Sequence, residues 1–204
     1  MQEKNGNRRT EIRLAGEGGQ GMILAGIILA EAAAIYDGKN AVQTQSYGPE
    51  ARGGASKAEV IISAGEIDYP KVISADVLVV MSQEGCDKYA STLGKKGMLI
   101  VDEDKVLRVP TSHAIKVPIT KLASESTGRA ITANVVALGV LVGLTQVVSR
   151  QAIEKAVTAR APKGTEGMNR AALAAGFAAA EKWSNSQFVQ AESLKLNQAQ
   201  PAKD

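Results

Sequence analysis

The stretch TEIRLAGEGGQGMILAGIILAEAAAIY, residues 10–36, decides the fold. Residues 10–15 place apolar side chains at every second position, which predicts a β-strand. The glycine-rich run 16–21 predicts a tight loop, and the apolar run 22–36 predicts a buried helix. A strand, a glycine loop and a buried helix form the opening unit of an α/β sheet.

The rest of the chain continues this alternation. Apolar runs predict further strands at 41–44, 57–63, 76–81, 98–102 and 115–119. Helical patterns follow at 83–93, 134–145, 149–160 and 166–183. The composition is 45% hydrophobic but only 3% aromatic, so the core must consist mainly of Ala, Val, Ile and Leu. We expect an α/β fold with a single open, mostly parallel sheet flanked by helices, Rossmann-like, and a C-terminal helical part.

Length and composition limit the organisation and the partners. The 204 residues suit one domain over 10–183, preceded by a polar arm at 1–9 and followed by a polar tail at 184–204 that we expect to be disordered. The net charge of +3 is scattered along the chain, so nucleic acid is not an expected partner. We see no apolar signal-peptide core and no long apolar span, and we expect no membrane contact and a cytoplasmic protein.

The glycine loop matches the spacing G-x-G-x-x-G through Gly16, Gly18 and Gly21. This spacing between a strand and a helix is typical of sites that hold a phosphate with backbone N–H groups. A dinucleotide site also needs an acidic residue at the end of the second strand, where this chain has residues 43–45, QTQ. An ATP-type loop needs Lys and Ser or Thr after the last glycine, where Met and Ile stand at 22–23.

Two interpretations of this loop stay open. The glycines let the strand and helix pack closely, with Gln20 capping or contacting a neighbour, or they bind a phosphate-bearing ligand. A second glycine-rich segment, QSYGPEARGGAS at 45–56, is predicted to be a shaped loop. There Arg52 can bind a carboxylate or phosphate or pair with Glu50, while Gly53 and Gly54 allow another backbone to approach.

The residue types used in most catalytic sites are scarce. His113 is the only histidine, which leaves a histidine metal site or a Ser-His-Asp triad without its other members. Cys86 is the only cysteine, so the chain cannot supply four thiolates to an iron–sulfur cluster. We expect Cys86 to be buried and inert, and we expect neither a catalytic residue nor a metal site in this chain.

Several segments together resemble the γ subunit of the 2-oxoacid:ferredoxin oxidoreductases. They are GEGGQG at 16–21, SYGPEARGG at 46–54, DVLVVMSQE at 76–84, NVVALGVLVGLT at 134–145, and Asn169. Within this family, QTQSYGPEARGGAS is most similar to the 2-oxoglutarate branch and less so to the pyruvate branch. The resemblance implies a subunit without its own cofactor, covering residues 10–183.

The resemblance also implies the partners and the candidate site. Thiamine diphosphate and Mg²⁺ would be bound by α and β subunits, and iron–sulfur clusters by β or a ferredoxin-like δ chain. Coenzyme A would be a co-substrate. The two loops would contact the phosphates of coenzyme A or a neighbouring subunit; the residues are Gly16, Gly18, Gly19, Gln20, Gly21, Tyr47, Arg52, Gly53 and Gly54.

Two functions from other classes remain as alternatives. A stand-alone NAD-dependent dehydrogenase is favoured only by the glycine spacing, and it lacks the ribose-binding acid and a proton donor. A regulatory module that binds a nucleotide or other phosphate ligand without chemistry would be stable by itself and would melt at a higher temperature with its ligand. The pyruvate and indolepyruvate branches also remain possible.

Overall fold

The computed structural model describes residues 9–46, 55–111 and 113–198, with side chains described through Asn185. The six strands form one sheet in the order β2-β3-β1-β4-β5-β6. The strands are β1 Thr10–Glu17, β2 Asn40–Ser46, β3 Ala55–Ser63, β4 Ala75–Val80, β5 Leu93–Asp102 and β6 Ile115–Val117. The helices are α1 Met22–Glu31, α2 Gln83–Tyr89, α3 Ile119–Thr127, α4 Ala133–Thr145, α5 Arg150–Arg160 and α6 Glu166–Gln198.

The sheet is mixed, although most of its strands share one direction. β1, β4, β5 and β6 pair in parallel, while β3 runs antiparallel to both β1 and β2. β2 therefore points the same way as β1, and only β3 is reversed. The predicted α/β class and mostly parallel sheet are confirmed, and the reversal of β3 is a feature that the sequence analysis did not predict.

Helices cover the two faces of the sheet unequally. Alternate residues of β4 point to opposite sides: Val77 and Val79 join the large core under α1 and α3–α6, whereas Leu78 and Val80 join a smaller core with Cys86 of α2. Because both sets are buried, β4 is the central strand that its continuous apolar run predicts. Because a thick helical layer covers one face of the sheet, a binding site is expected in the loops at the strand ends.

Helix α4 lies inside the protein. All residues from Ala133 to Val142 are buried, which explains why the helix is apolar on every side. Glycines let α4 and α6 cross closely: a Cβ on Gly139 would overlap the Leu173 carbonyl oxygen, and one on Gly176 would lie 2.8 Å from the Gly139 Cα. The apolar character of α4 therefore serves the core of this chain.

Several element boundaries differ from the predictions. The helix predicted at 83–93 ends at Tyr89, and the strand predicted at 98–102 begins already at Leu93. The strand predicted at 115–119 ends at Val117, because Ile119 begins α3, a helix that the sequence analysis missed. The final helix extends past the predicted end at 183 to Gln198, so residues 184–198 are helical where a disordered tail was predicted. Residues 199–204 and the arm at 1–8 lie outside the described residues. None of the helices in the described ranges is long and apolar enough to cross a membrane.

Candidate functional site

The glycine loop connects the carboxyl end of β1 to the first turn of α1. Gly19 and Gly21 have φ values of +94° and +73°, a region that other residues rarely adopt, and Gly21 is the N-cap of α1. The loop lies at the edge of the sheet where the parallel strands end. This is the edge at which open α/β sheets commonly bind their ligands.

Gln20 holds this loop through hydrogen bonds within the chain. Its Oε1 accepts from the Glu17 N–H at 2.8 Å, and its Nε2 donates to the Met81 carbonyl at 2.9 Å. Met81 directly follows β4, the neighbour of β1 in the sheet. Of the two interpretations of Gln20 left open by the sequence, contact with a neighbouring segment is the one that the structure shows.

The glycines of the loop have different structural causes. A Cβ on Gly16 would overlap the Gln20 carboxamide, and one on Gly21 would lie 2.6 Å from Asn134 Nδ2. Both glycines are therefore required by the chain's own packing. A Cβ on Gly18 would meet nothing within 4 Å, and Gly18 does not have a positive φ. Nothing in the described part of the chain requires glycine at this position.

The second glycine-rich segment returns to the sheet beside the glycine loop. β2 ends at Ser46 and β3 begins at Ala55, which pairs with Glu17 at the end of β1. Residues 47–54 lie outside the described residues, and with them the candidates Tyr47, Arg52, Gly53 and Gly54. The structure thus brings the two ends of this segment to the predicted site, while the positions of those four candidates stay a prediction.

Two side chains that the sequence analysis did not select hold the start of β3. The Ser56 hydroxyl donates to the Gly16 carbonyl oxygen at 3.2 Å, and a Glu84 carboxylate oxygen accepts from the Ala55 N–H at 3.1 Å. Glu84 belongs to the first turn of α2, after β4. The ends of β1 and β4 and the start of β3 are therefore connected by side-chain hydrogen bonds at one edge of the sheet.

A pocket of about 370 Å³ opens beside the glycine loop. Its walls include the N-termini of three helices: Gly21, the N-cap of α1, and Asn134 and Asn169 in the first turns of α4 and α6. The backbone N–H groups of first turns have no partner within the helix, and they carry partial positive charge. The walls also contain Arg129, which is exposed, and Ile131, whose surface is 74% exposed. This combination suits an anionic ligand with an apolar part.

Hydrogen bonds connect the pocket walls to the glycine loop and to each other. Asn134 is buried, and its Nδ2 donates to the Gly21 carbonyl oxygen at 3.4 Å. Asn169 Nδ2 donates to the Thr165 carbonyl oxygen at 2.9 Å, which fixes the start of α6. Arg160 forms an ion pair with Glu31, so its charge is already partnered. The sequence analysis singled out Gly21, Asn169 and the segment that begins at Asn134, but it gave no sign that they form one pocket.

Residues that could serve other kinds of site are used elsewhere in the chain. Cys86 is buried, as predicted, and burial, followed by the Asp87 charge, raises the pKa of its thiol. His113 is exposed. Asp37, in the turn before β2, accepts from both the backbone N–H and the hydroxyl of Ser149 at 2.7 Å. Within the described residues, no group of three potential metal ligands comes together.

Comparisons with known proteins agree with this architecture. The family model described as pyruvate ferredoxin/flavodoxin oxidoreductase matches residues 11–179. The 2-oxoglutarate synthase subunit KorC of Methanocaldococcus jannaschii is 50% identical over 186 residues, which cover 89% of this chain and 100% of the relative. The keto/oxoacid ferredoxin oxidoreductase γ subunit of Geobacter sulfurreducens is also 50% identical, with a TM-score of 0.78 over 86% of this chain and 98% of that chain.

A solved structure from another branch is less similar. The pyruvate oxidoreductase subunit PORC of Thermotoga maritima is 29% identical, with a TM-score of 0.70 over 83% of this chain and 96% of that chain. The fold is therefore shared across the branches, whereas sequence identity separates them. The match over residues 11–179 and the agreement in fold show that this chain belongs to the pyruvate ferredoxin/flavodoxin oxidoreductase family.

Proposed function

We propose that this chain is the γ subunit of a 2-oxoglutarate:ferredoxin oxidoreductase. The proposal rests on the 50% identity to a 2-oxoglutarate synthase subunit along that relative's whole length. Identity falls to 29% for the pyruvate oxidoreductase subunit, although the fold is retained. The difference favours the 2-oxoglutarate branch over the pyruvate branch.

The complete enzyme would convert 2-oxoglutarate, coenzyme A and two oxidised ferredoxins to succinyl-CoA, carbon dioxide, two reduced ferredoxins and a proton. In this proposal α and β subunits hold thiamine diphosphate, Mg²⁺ and iron–sulfur clusters, with a ferredoxin-like δ chain as a further partner. Those cofactors supply the decarboxylation and electron-transfer chemistry. The γ chain supplies subunit contacts and one wall of a binding site, and we expect it to be inactive alone.

The structural roles of the reactive side chains support a non-catalytic subunit. Cys86 is buried and its thiol pKa is raised, so little thiolate is available. Asp102 is buried at the end of β5, where its carboxylate accepts from the Thr120 N–H at 3.2 Å and caps α3. Glu59 is buried in an ion pair with Arg13. Each of these groups is engaged in holding the fold.

The glycine loop and the adjoining pocket are the proposed contact for the phosphates of coenzyme A. Three first turns line the pocket and favour an anion, and Arg129 adds a full positive charge. Gly18 supports the same proposal, because its missing side chain leaves room for a group from outside the described chain. Arg52 is the second proposed phosphate contact, from the segment that returns beside the loop.

The subunit assignment is tested by isolating the complex. The tagged chain should be purified gently from its native host without oxygen, and its companions identified by mass spectrometry. We expect thiamine- and coenzyme A-dependent viologen reduction with 2-oxoglutarate, and much less with pyruvate or indolepyruvate. A lone, inactive chain that melts at a higher temperature with a phosphate ligand would instead favour the regulatory module.

The contact with coenzyme A is tested with Gly18→Val in the complete complex. The added side chain meets nothing within 4 Å in its own chain, so the fold should be unaffected and only an outside group should clash. We expect a higher KM for coenzyme A, and a similar effect from Arg52→Ala. Ala174→Leu, on an exposed position of α6, is the matched control that adds bulk away from the pocket. Unchanged coenzyme A affinity in both site variants would contradict the proposed contact.

A further inference from the structure

The carboxamide of Gln20 connects the two central strands at the site. It accepts from Glu17 at the end of β1 and donates to Met81 after β4. The backbone adds two more bonds at the same place, from Gln20 N–H to the Glu17 carbonyl at 3.2 Å and from Met81 N–H to the Ala15 carbonyl at 2.9 Å. Both hydrogen-bonding ends of the side chain are therefore occupied inside the chain.

The conformation of the loop depends on this carboxamide. Gln20 Oε1 lies at the point that a Cβ on residue 16 would occupy. The close contact therefore requires both the glycine at 16 and the carboxamide at 20. In the turn between them, a Cβ on Gly18 or Gly19 would meet no other atom within 4 Å. Gln20 thus faces inward while the two glycines face outward.

We propose that Gln20 is a positioning residue, which locks the loop so that Gly18 and Gly19 are presented to the phosphates of coenzyme A. The kinetic consequence rests on the proposed function above, whereas the locking of the loop does not. Gln20 acts through the Glu17 N–H and the Met81 carbonyl and makes no direct contact with the ligand. Its loss should therefore weaken binding at the loop without changing the chemical step.

Hydrogen exchange in the full-length chain tests the locking of the loop. Loss of the exposed hydrogen bond between Glu17 and Gln20 should make the Glu17 amide of Gln20→Ala exchange several-fold faster than in the wild type. Gln20→Glu has the same shape, but at neutral pH a carboxylate cannot donate to the Met81 carbonyl. The carboxylate is instead repelled by the Met81 carbonyl oxygen, which turns the side chain away from both partners. As the pH falls, the protonated carboxyl can donate to Met81 while its other oxygen accepts from Glu17.

The pH dependence separates a specific role from a general loss of packing. We expect the protection factor of the Glu17 amide, corrected for intrinsic exchange, to recover at low pH in Gln20→Glu and to stay low in Gln20→Ala. Equal protection in wild type and Gln20→Ala at neutral pH would overturn the proposal. So would failure of Gln20→Glu to recover at a pH where the wild-type chain is still folded.

Kinetics of the complete complex test the functional consequence. Gln20→Ala should raise the KM for coenzyme A several-fold, while kcat at saturating coenzyme A and the KM for 2-oxoglutarate stay within about twofold of wild type. An unchanged KM for coenzyme A, with activity present, would overturn the positioning role. If the wild-type complex has no 2-oxoglutarate activity, the proposed function fails, and the exchange experiment still decides whether Gln20 locks the loop.

Discussion

Gly176→Ala should destabilise the protein, although it replaces glycine with the best helix former. In the middle of α6, the new Cβ would lie 2.8 Å from the Gly139 Cα and 2.9 Å from the Val140 nitrogen, and it would overlap the Val136 carbonyl oxygen. These are backbone atoms of α4, so no side chain can rotate away. Carbon atoms pack at about 3.5–4.0 Å, which means that the two helices must separate by roughly 1 Å.

The magnitude follows from two opposing effects. Overpacking of this kind costs about 1–3 kcal/mol, and the backbone character of the clash places the cost at or above the upper end. Replacing glycine by alanine in a helix returns about 1 kcal/mol. We expect a net loss of about 2 kcal/mol, which corresponds to a decrease of about 4–8 °C in Tm for a domain of this size.

Gly167→Ala is the matched control, because it makes the same substitution in the first turn of the same helix. A Cβ there meets nothing within 4 Å, so the variant should be neutral or about 0.5 kcal/mol more stable. Urea and thermal unfolding of both variants measure the difference. A Gly176→Ala protein as stable as Gly167→Ala would refute the argument that the α4–α6 crossing excludes a side chain.

Two further predictions concern buried carboxylates. Burial would raise the pKa of Glu59, but hydrogen bonds from Lys57 and Arg13 outweigh it and hold the pKa below its ordinary value of 4.5. The contribution of the Glu59 carboxylate to stability is therefore complete above about pH 4.5 and is lost as pH falls through the lowered folded pKa. Glu59→Gln should lower the free energy of unfolding by about 3 kcal/mol at pH 7 and by much less in acid. Urea titrations at several pH values measure this difference. Asp102→Ala should remove the cap of α3 and cost about 1–2 kcal/mol, with faster hydrogen exchange at the start of that helix; unchanged exchange there would contradict the capping role.

Local patterns were sufficient to predict most of the fold. The alternation in 10–15 and the apolar run in 76–81 were correctly interpreted as strands, because each pattern is fixed by the faces that the strand buries. The direction of β3 could not be obtained in this way. A glycine-rich connection is compatible with either a reversal or a crossover, and only the pairing of β3 with both β1 and β2 decides between them.

Helix α3 was missed because its stability comes from outside its own sequence. The segment ITKLASEST contains several Ser and Thr residues, which are not strong helix formers, and its N-terminal cap is the carboxylate of Asp102 on β5. The pocket was missed for a related reason. Arg129, Asn134 and Asn169 lie far from the glycine loop in the sequence, and only the packing of α4 and α6 brings them to it.

The site combines an open backbone with side chains that are already engaged. Gln20 and Asn134 bind the glycine loop, and Ser56 and Glu84 bind the start of β3 beside it. The pocket beside them is lined mainly by apolar side chains, and its positive charge comes from three helix N-termini and from Arg129. Such a surface can hold and orient an anion. The arrangement therefore supports a subunit that positions a phosphate-bearing substrate for chemistry performed by its partners.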